Sequence, residues 1–150
     1  MNIYILFAGP LCATSPIERA LATVIRWASR GETVHLAVSD GHIVLEQTRT
    51  GPRLLSFETY VTHYPGLCAV VDVPAARARD LRPERYRVPR FRLSVLCWLT
   101  RGRVRSDDCV EMARQEIAAW CGFDVPRGVT TPHALLKHLI SRGCHDEEIA

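Results

Sequence analysis

The sequence predicts a single α+β domain. Three observations carry that prediction. Residues 2–8 and 68–74 are apolar runs of strand length, residues 31–48 carry a hairpin signature, and three further segments combine helical apolar spacing with clear caps. A chain of 150 residues suits one domain and can bury about two thirds of its unfolded surface. No repeat, linker or low-complexity tract divides it, so the domain is taken as residues 1–150. Apolar residues at 47% and charged residues at 23% exclude a disordered chain. No apolar run approaches the roughly 20 residues of a membrane span.

The opening MNIYILFAG lacks a basic n-region and meets Pro10 without an A-x-A-like cleavage site, so it reads as a first strand and not a secretion signal. Ser15-Pro16 is a helix start, and Ile17, Leu21, Val24, Ile25 and Ala28 carry the helix over 16–29. In GETVHLAVSDGHIVLEQT, two apolar runs flank Asp40-Gly41, a pair favoured in type I′ turns. After Gly51-Pro52 the pattern loosens, with a short helical turn expected within SFETYVTHYPG. CAVVDVP is a strand closed by Pro74, followed by a short helix over 75–85 interrupted at Pro83. FRLSVLCWLTRG reads as helix. In SDDCVEMARQEIAAWCG, Ser106 is the expected cap, Asp107 and Asp108 complement the positive end of the dipole, and Gly122 closes the helix. Val110, Ala113, Ile117 and Trp120 form its apolar stripe. A last helix opens at Thr131-Pro132, carries Leu135, Leu136, Leu139 and Ile140, and ends at Gly143, with CHDEEIA expected to fray.

Eighteen of the nineteen basic residues are Arg, and ten of them lie between Arg77 and Arg105 against only Asp80 and Glu84. That stretch suits an anionic surface or an acidic partner. Thin aromatic interleaving and the lack of a binding motif speak against nucleic acid. The six cysteines form no CxxC pair and no cluster with zinc-ligand spacing, so neither metal nor cofactor is expected. Without a signal sequence, reduced thiols are expected in place of disulfides.

The hairpin also carries the candidate chemistry. With Asp40-Gly41 as a two-residue loop, paired residues sum to 81 and His35 lies directly opposite Glu46. Val34, Leu36, Val38, Ile43 and Leu45 then form the core face. The other face sets an imidazole beside a carboxylate among small residues, the arrangement that orients a catalytic base. Cys109 supplies a nucleophile: it sits in the first turn of a capped helix, where free N–H groups and the dipole favour a thiolate and can hold an oxyanion. The two preceding aspartates oppose thiolate formation. His42, at the turn on the same face, could assist substrate binding, whereas His133, His138 and His145 read as solvated surface.

The order of these features resembles the circularly permuted papain-like branch of the NlpC superfamily of amidases and peptidases, which includes lecithin retinol acyltransferase-like enzymes. The matching text is "IRWASRGETVHLAVSDGHIVLE", then "SDDCVEMARQ" for the nucleophile helix, then "TTPHALLKHL", similar to a helix of phage-tail members. The resemblance covers roughly residues 16 to 140 and implies a small antiparallel sheet packed against a nucleophile-bearing helix and flanking helices. It implies Cys109 as nucleophile, His35 as general base and Glu46 as polar orienter. It further implies a cysteine peptidase or amidase acting on peptidoglycan peptide bonds, with other phage tail proteins as partners, in the virion or in the bacterial cytoplasm before assembly. Two other readings share the fold: an inactive tail-tip assembly protein, and a lipid acyltransferase or thioesterase.

Overall fold

A computed structural model describes residues 1–148. Strands β1 (Asn2–Ala8), β2 (His35–Ser39), β3 (Ile43–Thr48), β4 (Gly51–Ser56), β5 (Leu67–Pro74) and β6 (His145–Glu148) form one antiparallel sheet in the order β4-β3-β2-β1-β5-β6. Helices α1 (Pro16–Ser29), α2 (Phe57–His63), α3 (Phe91–Leu99), α4 (Cys109–Cys121) and α5 (Pro132–Ser141) complete the domain.

Period-two alternation gives the sheet two apolar faces. On one, Ile3, Ile5, Phe7, Leu36, Val38, Leu45, Val71 and Val73 pack against α4 and α5 through Val110, Ala113, Ile117, Trp120, Leu135 and Leu139. On the other, Leu6, Ala37, Val44 and Val70 pack beneath Tyr60 of α2. The face that the sequence left to small, unburied residues is thus a second core. The helical turn expected within SFETYVTHYPG is α2, but nothing in the sequence pattern assigns it to that face.

Several boundaries differ from expectation for identifiable reasons. Residues 51–56 form a strand despite Pro52, which is tolerated because β4 is an edge. The helix expected over 75–85 is absent, and only Pro83–Arg85 makes a 3-10 turn. The last helix is as expected, but the tail after it pairs with β5 instead of fraying: Asp72 faces His145 and Ala69 faces Glu148. Residues 149–150 of that tail lie outside the described residues.

The hairpin register is corrected from a sum of 81 to 83. Ala37 faces Glu46, Val38 faces Leu45 and Ser39 faces Val44, so four residues, 40–43, separate the last paired positions. Local polar chemistry decides this. The Asp40 carboxylate accepts from the N–H groups of His42 (2.8 Å) and Ile43 (2.9 Å). Ser39 Oγ accepts from Gly41 N and donates to Ile43 O at 2.6 Å. Those bonds replace the tight I′ turn that Asp-Gly alone suggests.

Candidate active site

His35 and Glu46 are consequently not directly opposite. The shift of two residues preserves the face, so they are diagonal neighbours, within reach of long side chains. Ala37, which does face Glu46, offers only a methyl group, and the carboxylate leans across it to His35. His35 Nε2 and Glu46 Oε1 are 2.8 Å apart.

Glu46 is 1% exposed and has three partners. Besides His35, Oε1 accepts from the Tyr64 hydroxyl, and Oε2 accepts from Arg53 Nε at 2.6 Å. Arg53 faces Glu46 across the β3–β4 ladder, and Tyr64 caps the C-terminus of α2 while stacking on Tyr60 with centroids 4.1 Å apart. Burial would raise the Glu46 carboxyl, but these bonds and the His35 charge outweigh it and hold the group well below the usual carboxylate range. Burial raises the Tyr64 phenol, reinforced by the Glu46 charge, so Tyr64 remains a donor.

Cys109 lines the same cleft as His35. Burial favours the neutral ring, but its interactions with Cys109 and Glu46 raise His35 above its ordinary value. With Nε2 engaged by Glu46, Nδ1 is the ring nitrogen left for proton transfer. The three residues named from sequence are therefore brought together, by β2, β3 and the start of α4.

The nucleophile helix is capped by Asp108 and not by Ser106. One Asp108 oxygen accepts from Val110 N and Glu111 N, both at 3.1 Å, while the other accepts from Ser94 Oγ at 3.0 Å. The cap does not use the Cys109 N–H at the first helical position, a donor suited to an oxyanion. Burial raises the Asp108 carboxyl, with the cap bonds opposing it. Asp107 is occupied by Arg90, at 2.9 Å from the backbone N–H and 3.2 Å from Nε. The two carboxylates thus act mainly as structural acceptors.

Four contributors escaped the sequence reading. Arg53 and Tyr64 hold Glu46, as described. Gln47, whose side chain points to the opposite face from Glu46, donates to Arg87 O and, at 3.0 Å, to Asp107 O, tying the segment before α4 to β3. Cys12 lies in a 3-10 turn at Pro10–Cys12, where burial, then the nearby Cys109 and Glu46, push its thiol up to about 12. Gly66, at φ 78°, allows that turn's close approach: a Cβ there would lie 2.9 Å from Cys12 N. Only Arg53 had a readable signal, since a strand over 51–56 puts it opposite Glu46. His42 is exposed at the turn, outside the cleft.

The dyad opens into a cleft of about 580 Å³. One wall is α1 with Leu21, Ala22 and Ile25, and the other is α3 with Phe91 and Trp98. Arg49 and Arg53 stand at the β3–β4 end. Among the described residues no group of His, Cys, Asp and Glu could hold a metal ion, and no helix is long and apolar enough to cross a membrane. No family model, curated protein or solved structure matches this chain.

Proposed function

We propose that the protein is a papain-like cysteine hydrolase, with Cys109 as nucleophile, His35 as acid–base and Glu46 as the orienting carboxylate. The observation that carries this reading is one imidazole bonded to a buried carboxylate and sharing a cleft with a thiol at a helix N-terminus. The Cys109 thiolate adds to a carbonyl carbon, and the oxyanion takes a hydrogen bond from the Cys109 N–H. The His35 imidazolium gives its proton to the leaving amine or alkoxide as the C–N or C–O bond breaks. Water, losing a proton to His35, then splits the thioester and restores the thiol.

The substrate favoured by the resemblance is an amide bond of peptidoglycan, in a virion or a bacterial cytoplasm. The cleft walls support a second reading. Leu21, Ile25, Phe91 and Trp98 suit an apolar acyl chain better than a polar muropeptide, which favours a lipid ester or thioester. Iodoacetamide labelling and turnover of both substrate classes test the proposal. Cys109 should alkylate faster than the other five cysteines near neutral pH, and Cys109→Ala should abolish turnover. His35→Ala should lower turnover by about 10²–10⁴-fold. Labelling of Cys109 no faster than that of the other cysteines would overturn the mechanism. Selective labelling without turnover of either class would favour the tail-assembly reading.

A further inference from the structure

The most unusual element is α1. Its capping box is complete, with Ser15 and Glu18 exchanging bonds, yet in a 14-residue amphipathic helix only Ala22 is buried. Leu21 and Ile25 face the cleft, and the apolar stripe continues around the helix through Ile17 and Val24 to Trp27, which is 81% exposed. The opposite wall repeats the pattern: α3 turns Ser94 and Cys97 inward and leaves Leu96 and Leu99 in solvent, Leu99 at 77% exposure.

Charge accompanies this apolar surface. Residues 91–105 contain Arg92, Arg101, Arg103 and Arg105 and no acidic residue. All four are exposed, and none forms an ion pair among the described residues. The nearest carboxylates in sequence, Asp107 and Asp108, are already engaged by Arg90 and by the α4 cap. Exposed leucines in a segment with four unpaired arginines, and an exposed Trp27 on the facing wall, make the composition of a surface that lies in a membrane interface, where apolar groups enter the acyl boundary and guanidinium groups meet phosphates. A second copy is a poor occupant, because pairing this face with itself would oppose four unpaired cations with four more.

We propose that α1 and α3, the two walls of the cleft, dock the protein onto an anionic lipid surface. The inference does not depend on catalysis by Cys109. Co-sedimentation with phosphatidylcholine vesicles, with and without phosphatidylglycerol, tests it on the intact chain. Binding should require the anionic lipid and weaken with salt. Arg101→Gln with Arg103→Gln should weaken it by roughly fivefold per arginine, and Trp27→Ser with Leu99→Ser should reduce it further. In the unaltered protein, brominated lipid should quench tryptophan emission, and Trp27→Phe should remove that quenching. Cys109→Ala should bind as tightly as the unaltered protein, so a failed mechanism and a failed docking surface are separable. Equal sedimentation with neutral and anionic vesicles, or binding indifferent to these substitutions, overturns the proposal. So does a concentration-dependent dimer that Trp27→Ser and Leu99→Ser dissociate, which would assign the face to a second copy.

Discussion

A single carboxylate carries two tasks at the centre of this molecule. Glu46 is almost wholly buried, so its charge persists only because His35, Tyr64 and Arg53 together replace the water it lost. The same charge raises His35 against the effect of burial. Removing it reverses the balance. Glu46→Gln keeps the shape but withdraws a raising influence, leaving burial to act more strongly, so the His35 titration should move down from its raised position. The imidazole resonance followed by NMR across pH checks this, and an unmoved midpoint would show that Glu46 does not govern the ring's charge. Cys109→Ala should also move it downward, because Cys109 is the other raising influence.

Among the elements, α4 shows how one cap can position a reactive group. Asp108 satisfies Val110 and Glu111 and is itself held by Ser94, so the first turn is fixed from both α3 and its own cap. Asp108→Ala should cost about 1–2 kcal/mol in denaturant unfolding and should slow Cys109 alkylation as the first turn loosens. Asp108→Asn keeps an acceptor and should recover most of both, which distinguishes a positioning cap from an electrostatic role. The helix and its stripe were legible because Val110, Ala113, Ile117 and Trp120 repeat at helical spacing and are all buried. The choice of cap was not, since Ser106 and Asp108 are both good caps and tertiary contact with Ser94 decides between them. The hairpin follows the same pattern. Its face assignment survived because the register error was two residues, while the register itself depended on side-chain bonds from Ser39 and Asp40 that alternation does not encode.

At the scale of the whole molecule, the sheet order collects residues far apart in the chain: His35 and Cys109 are separated by 74 positions, yet they line one cleft where β2 begins beside α4. Sequence pattern exposed the ends of that arrangement and hid its supports, because Tyr64 and Gln47 matter only through contacts with distant segments and Arg53 only once residues 51–56 are recognised as a strand. The coupled charges make overall stability a test of the arrangement. Glu46 has a folded value below its unfolded one, so its contribution is fully present above about 4.5 and fades as pH falls towards about 2. His35 has a folded value above its unfolded one, so its contribution is full below about 6.5 and fades as pH climbs towards the raised value. The network should therefore support the fold most fully between about pH 4.5 and 6.5. Urea midpoints measured across pH should show the loss on both sides, attributable by comparison with variants. Glu46→Ala should cost about 1–3 kcal/mol inside the window, because it leaves the half-buried His35 and Tyr64 without their acceptor, and should flatten the acid side. His35→Ala should flatten the alkaline side. Matching pH dependence in the unaltered protein and both variants would show that other groups set the profile.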